Sequence, residues 1–369
     1  MASWGLPVSV LSRAREVAAV IEDRVDSLGG RTLRVDADEI VTGRAALLGL
    51  DPPSRISSGG ASRLLATADG WCAFTLSRVE DYEALPALLE IGDVGADPWD
   101  SLAAAARARK AEEIVARARL LDMPAAVLGE AVASDAKIVR HSAPLSRSIT
   151  DLLVVDLSSM WAGPLCGRLL GAAGATVVKV ETPGRPDGTR GGHPHFFNWI
   201  NSEKLCYSDD FAQLLRAADV VIEGSRPAAL ARRGLGAEQV PGRPGRIWLR
   251  LSGYGAIHPD WVAFGDDAAV AGGLVTFRGD CPVFCGDAIA DPLSGLAATA
   301  AILDALASGG GVIIDVAMSA VAAAYAGLPD AGVERTQLRA PALPSEPAHE
   351  LGADNAHVRE LIESRLAAC

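Results

Sequence analysis

Between residues 152 and 316, short strand-like segments alternate with helical stretches, and no other feature of this 369-residue chain narrows its fold as much. The segments are Leu152–Leu157, Ala175–Val180, Asp219–Ile222, Arg246–Leu251 and Val312–Val316. A strand that is apolar at nearly every position has both faces covered, which is the condition of a parallel sheet. Helical stretches at about 163–173, 209–217 and 292–307, the last rich in alanine, supply the crossovers that parallel pairing requires. The expected fold is α/β: a Rossmann-like, mostly parallel sheet flanked by helices. Ligands of such sheets bind at the carboxyl ends of the strands.

The residues before this segment read differently. Helical spacing over 12–28 and 37–49 is interrupted by Gly29-Gly30, and a polar stretch follows from Asp51 to Gly60. Asp69-Gly70 predicts a hairpin turn leading into the strand Trp71–Leu76. Helices are expected over 80–91 and 98–121, and Pro124 opens a short strand. Residues 131–149 read as an irregular linker. Past residue 325, the stretch 329–347 is proline-rich and reads as a surface wrap, with a last helix at about 354–366. The expected organisation is a helical segment at 1–50 and a smaller α+β domain at 51–135. A linker at 136–150, the Rossmann-like domain at 151–325 and a wrap with terminal helix at 326–369 complete it.

With 49% hydrophobic and 22% charged residues, the chain has the composition of a protein with a real core. Its 34 basic and 46 acidic residues leave a net charge of −12, with a sequence pI of about 5.0. That excludes a general electrostatic attraction to nucleic acid or to an anionic membrane, though not a local basic pocket. The cysteines Cys72, Cys166, Cys206, Cys281, Cys285 and Cys369 are scattered. Only Cys281 and Cys285 are close, with no histidine near them, so no zinc site is expected. Reduced thiols in a cytoplasmic protein are the expectation. The first residues reach arginine and glutamate too soon for a signal peptide, and no uninterrupted apolar run approaches ~18 residues.

The turn after the first strand, Asp156 to Pro164, lacks the G-x-G-x-x-G of a dinucleotide site, although Glu181 ends the next strand where a ribose-binding acid would sit. Arg185 and Arg190 follow the second strand, and Arg226, Arg232 and Arg233 follow another. With Lys204 they form either a set of solvated cations or one anion site. Asp291-Pro292 opens the long helix. Aspartate and proline are ordinary helix-start residues, yet an ionised aspartate at a strand-end cleft is also a candidate nucleophile toward an acyl group. Asp287 is the rival acid, and Asp266-Asp267 add two carboxylates. His193, His195 and His258 stand in no metal or hydrolase spacing, and neither G-x-S-x-G nor H-E-x-x-H occurs.

Residues 151–320 resemble the family III (CaiB/BaiF-type) CoA-transferases, the group that includes formyl-CoA and carnitine CoA-transferases and α-methylacyl-CoA racemase. The family's D-L-S…A-G-P…L…G-A-x-V-x-K-V-E pattern is matched by DLSSMWAGPLCGRLLGAAGATVVKVE at 156–181. Pro183, Asp187 and Arg190 continue the match, followed by ADVVIEGSRP at 218–227 and the S-G-Y-G of Ser252–Gly255. Asp291, with Gly295, Ala297 and Ala298, matches the family's D-x-x-x-G-x-x-A-A helix, and GGGVIIDVAM at 309–318 matches its next strand.

The resemblance implies that Asp291 attacks an acyl-CoA and that CoA passes to a carboxylic acid through a mixed anhydride and an aspartyl-CoA thioester. It implies Lys204, Arg190, Arg226, Arg232, Ser252 and Trp161 as CoA contacts, and Tyr254 near the reacting centre. CoA and acyl-CoA are then substrates, with no metal, and a homodimer is expected. Three departures qualify this. Gly224 stands where the family has asparagine. Asp266-Asp267 replaces the histidine–aspartate pair of the racemases, with Asp266 as the possible stand-in for imidazole. SSGGAS at 57–62 resembles the glycine loop that closes over the active site, with Gly59 and Gly60 shielding the intermediate. That loop and the small-domain-like 68–130 precede the large domain, so the chain reads as circularly permuted. An acyl-CoA racemase or epimerase, and a CoA-binding homologue without turnover, are the alternative readings.

Overall fold

A computed structural model describes residues 4–224 and 226–367. Cys369 and Ser225 of the ADVVIEGSRP block lie outside the described residues. In chain order, β1 (Gly5–Pro7), α1 (Val8–Ser27) and α2 (Ala37–Leu48) come first. A small unit follows: β2 (Ser62–Ala66), β3 (Trp71–Thr75), α3 (Val79–Glu83), α4 (Leu85–Leu89), α5 (Pro98–Arg107), α6 (Ala111–Leu120) and β4 (Ala125–Val127). After β5 (Lys137–Arg140) the alternating region begins with β6 (Leu153–Asp156), α7 (Ala162–Ala172), β7 (Thr176–Val180), α8 (Pro194–Asn201) and β8 (Leu205–Tyr207). It continues through α9 (Ala212–Ala217), β9 (Val220–Glu223), α10 (Pro227–Ala231), β10 (Ile247–Ser252), α11 (Gly265–Ala271), β11 (Val275–Arg278) and β12 (Cys281–Phe284). The chain ends with α12 (Ala290–Ala307), β13 (Val312–Ala317), α13 (Met318–Ala326), β14 (Val333–Arg335) and α14 (Asn355–Ala367).

The main sheet has seven strands in the order β5-β13-β10-β9-β6-β7-β8, all parallel except β5. The chain leaves β6 in one direction through β7 and β8, and in the other through β9, β10 and β13. This is the doubly wound order, with its switch point between β6 and β9. Strand residues alternate between two cores as the pleat demands. Val154, Val177, Ile222 and Leu249 face α1, α7 and α12, whereas Val155, Val178, Val221 and Trp248 face α9 and α14.

Three expectations about element boundaries are corrected. The helix expected over 80–91 is broken at Ala84 into α3 and α4, with Pro86 in the first turn of the second. The helix expected over 98–121 is two helices, because the hairpin turn caps the second. Asp69 accepts from the backbone N–H of Ala111 at 2.9 Å, and Arg109 O accepts from Ala68 N at 2.9 Å. The linker contains a strand, β5, which pairs antiparallel to the sheet edge through β13. Its alternation was hidden because Ile138 and Val139 are both exposed on that edge.

The N-terminal helices belong to the large core. Val10, Leu11, Ala14, Ala18, Ile21 and Val25 of α1 repeat at helical spacing and pack against α12. By length and composition α12 could cross a membrane, but most of it is buried inside the protein, between α1 and α7. Of the five described cysteines, Cys72, Cys166, Cys206 and Cys285 are buried and Cys281 is exposed, all as free thiols.

Candidate active site

Where the chain diverges from β6 and β9, a cleft of about 570 Å³ opens at the carboxyl ends of the strands. Its floor is unusually tight. Ser158, whose hydroxyl donates to Asp156, is wedged between two glycines. A Cβ at Gly163 would lie 2.3 Å from Ser158 Oγ, and one at Gly224 would lie 2.8 Å from Ser158 Cβ. Gly224, the departure from the family's asparagine, is therefore a packing requirement of this chain. Met160, next in the same turn, is held at φ 74, a left-handed conformation uncommon outside glycine, with its N–H directed to Asp187.

Asp291 lies on the wall of this cleft, in the first turn of α12. It is not the helix cap: the helix begins at Ala290, after Ile289, and the Asp291 carboxylate accepts from the backbone N–H of Ala162 at the start of α7. Gly265 allows the approach from the other side, since a Cβ there would stand 2.3 Å from Asp291 Oδ2. The surroundings are dominated by carboxylates. Asp266 of α11 accepts from Ser62 Oγ (2.9 Å) and Ala288 N (3.1 Å), and Asp267 accepts from Thr75 Oγ1 (2.8 Å). Burial, reinforced by the charge of Asp266, pushes Asp291 up to about 7, against the opposing pull of Arg44. Burial and Asp287 raise Asp266 to about 6, and burial raises Asp267 to about 7.

One cation offsets this cluster, and sequence reasoning missed it. Arg44 of α2 donates to Asp287 at 2.5 Å, and its guanidinium sits 5.9 Å from the Trp161 ring and 5.5 Å from that of Phe196. The only signal was a charged residue inside the otherwise apolar TGRAALL of α2. The glycine loop lies against it: a Cβ at Gly59 would be 3.5 Å from Arg44 Nη2, and Gly60 turns the chain at φ +79. Gly59 thus lies beside the arginine that pairs with the carboxylate cluster, Gly60 makes the turn next to it with open space around it, and Ser57 and Ser62 of the same loop reach Asp266.

The expected CoA contacts separate into two groups. Arg185, Arg226, Arg232 and Arg233 line the cleft, joined by Arg78 from the small unit, and Ser252 lines it at the end of β10. Arg226 is paired at 2.7 Å with Asp122, both exposed. Arg185 and Arg232 make no ion pair among the described residues. The other group is turned inward, which corrects the expectation for it. Lys204 is buried with its ammonium on Asp156 (2.8 Å), Pro164 O (2.7 Å) and Asn201 (2.9 Å), so its three donors are all taken. Burial holds its pKa below the usual lysine range. Arg190 forms a fork with Glu181 and lies over Phe197. Trp161 is buried edge-on to Phe196, and Tyr254 gives its hydroxyl to Glu130 at 2.9 Å while accepting from Arg119. Neither Trp161 nor Tyr254 lies on the cleft wall. Tyr254 is a joint between the small unit and the large one.

Residues 149–331 match the family model for CoA-transferase family III. Over 196 residues the chain is 32% identical to a succinyl-CoA–D-citramalate CoA-transferase of Chloroflexus aurantiacus, covering 46% of this chain and 49% of that protein. Over 188 residues it is 32% identical to a succinyl-CoA:glutarate CoA-transferase of Mus musculus, covering 44% and 43% respectively. It thus spans about half the length of the curated relatives it matches, or somewhat less. A solved CaiB/BaiF family protein from Brucella suis is 27% identical, with a TM-score of 0.44, over 48% of this chain and 55% of that one. The segment from residue 149 to residue 331, just under half of the chain, is a CoA-transferase family III segment.

Proposed function

We propose that this chain transfers CoA between an acyl-CoA thioester and a carboxylic acid, with Asp291 as the nucleophile. The observation that carries the reading is the position of Asp291 on the cleft wall at the sheet's switch point, with Arg185 and Arg232 along the same cleft. In the proposed cycle the Asp291 carboxylate attacks the thioester carbonyl, the C–S bond breaks, and CoA leaves as thiolate. The thiolate then attacks the aspartyl carbonyl of the mixed anhydride, releasing the first acid and leaving an aspartyl-CoA thioester. The acceptor carboxylate attacks that thioester and forms a new anhydride. Returning thiolate takes its acyl group and frees Asp291. In each step a carboxylate or thiolate attacks and a thiolate or carboxylate leaves, so no proton or redox partner is consumed. Arg185 and Arg232 hold CoA phosphates, and the 57–60 loop covers the anhydride against water.

The loop and Arg44 both precede the matched segment, which supports a circularly permuted order. A cytoplasmic homodimer is part of the same proposal. The test is mass spectrometry of the CoA pool after incubating the protein in D2O with several acyl-CoAs and free acids. New CoA esters that disappear in Asp291→Asn support the reading. Deuterium at the α-carbon without new esters moves it to a racemase, with Asp266, a carboxyl raised toward neutrality beside Asp291, as the proton carrier.

A further inference from the structure

The cleft has two chemically distinct halves, and the topology of the sheet sets them apart. Across the strand ends from β7 to β13 there are four steps, or about 19 Å at ~4.8 Å per step. All five cleft arginines come from the β7–β9 side or from the small unit facing it. Past β9 the character changes. From Leu251 to Met318 the wall is made of β10, the loop after it and the first residue of α13. Apart from Asp291 it carries no charged side chain among the described residues. Its apolar groups are Leu251, Trp261, Val262, Ala263, Phe264 and Met318.

This half is also firmly built. Trp261 is stacked on His258 at 3.6 Å with 5° between the rings, has Arg119 3.7 Å from its centroid, and stands edge-on to Tyr254 at 5.1 Å. Arg119 itself is paired with Glu130 and lies off the cleft wall. Gly253 brings β10's continuation against Ala263, where a Cβ would approach to 2.5 Å. Arg44, the cation that acts on Asp291, is tied to Asp287 and does not belong to the cleft wall.

We propose that the β10–β13 half of the cleft is the acyl subsite and that it takes acyl groups with an apolar body, excluding those that end in a second carboxylate. The inference rests on the CoA-transferase reading, which puts the thioester at Asp291 and the phosphates on the arginine side. The acyl group then extends toward Trp261–Phe264. A distal carboxylate there would lose its water and meet no cation on the wall, whose only side-chain donors among the described residues are the neutral Ser252 hydroxyl and the Trp261 indole N–H. Two of the relatives carry succinyl-CoA in their names, so the inference separates this chain from them.

The test compares butyryl-CoA and isovaleryl-CoA with succinyl-CoA and glutaryl-CoA as donors, at a fixed acceptor. The apolar donors should be preferred in kcat/KM by at least ~tenfold. Val262→Arg, at a half-buried wall position, should reverse the order toward succinyl-CoA. A preference of the unaltered protein for succinyl-CoA or glutaryl-CoA would overturn the inference and leave CoA transfer standing. If no thioester is exchanged, the transferase reading fails, and binding of non-reactive thioethers decides the subsite. Tighter binding of S-butyl-CoA than of S-(3-carboxypropyl)-CoA supports an apolar pocket, and equal or weaker binding refutes it.

Discussion

Replacing Arg44 by methionine keeps the apolar stem of the side chain and removes its charge. The Arg44 side chain is 24% exposed and that of its partner Asp287 only 2%, so the pair is largely shielded from solvent. Deleting one member of a buried pair typically costs about 3–5 kcal/mol, because the other charge is left without a counter-ion. With the arginine partly wet, the low end of that range is expected, and Arg44→Met with Asp287→Asn should recover much of it. The kinetic consequence is separate. In the proposed mechanism Asp291 must be ionised to attack, and burial pushes its carboxyl up to about 7 while Arg44 pulls it downward. Without Arg44 that titration moves up, and a one-unit rise lowers the ionised fraction at pH 7 from about a half to about a tenth. The kcat/KM profile should therefore rise through neutrality in the unaltered enzyme, and rise at higher pH in Arg44→Met, where Asp287, whose charge raises Asp291, is kept. Parallel profiles in the two would refute the assignment of Arg44 as the charge that sets Asp291. Retained stability in the single variant would refute the buried pair.

The same carboxyl has a stability signature of opposite sense. Its folded value lies above its ordinary 3.8, so the folded state binds the extra proton and stability falls as pH rises from about 4 toward 7. Asp291→Asn should consequently stabilise the fold more at pH 8 than at pH 4, by thermal or urea unfolding; an equal effect at both would contradict the burial argument. Gly224→Ala should cost about 1–3 kcal/mol by overpacking Ser158, and Ser158→Gly in the same chain should relieve it, both read from urea midpoints. Neutralising Arg185 and Arg232 together should weaken CoA binding by about 2–6 kcal/mol in titration calorimetry, at ~1–3 kcal/mol for each charge-assisted contact, with folding unchanged. Lys204→Met, which strands buried Asp156, should instead lower stability, and a pure affinity loss in that variant would reverse its assignment.

The sheet was legible because its central strands are apolar on both faces, a pattern that few other structures share. Asp291 was legible as a candidate because it heads a long apolar helix after a strand, although local pattern alone favoured a cap. The cap reading failed because the helix starts earlier than Pro292 suggests, at Ala290. Lys204 and Arg190 were misplaced because strand-end position identifies which edge a cation occupies and says nothing of a carboxylate beneath it. Asp156 and Glu181, which take these two cations, are themselves strand-terminal residues of the same motif. Arg44 was invisible for a different reason. It lies 247 positions from Asp291 in the chain, and only the packing of α1 and α2 against α12 brings it to the site. Trp161 and Tyr254 carry the residue types of a ligand site but form joints within the protein, a distinction that rests on side-chain direction.

The central claim is that Asp291 becomes covalently attached to CoA during turnover. Incubation with butyryl-CoA without an acceptor, followed by acid quench, digestion and peptide mass analysis, tests it directly. The account predicts a CoA adduct on the peptide containing Asp291, discharged by added carboxylic acid and missing in Asp291→Asn. Turnover that proceeds with no adduct on that peptide, or with an adduct on Asp266 or Asp287, would contradict it.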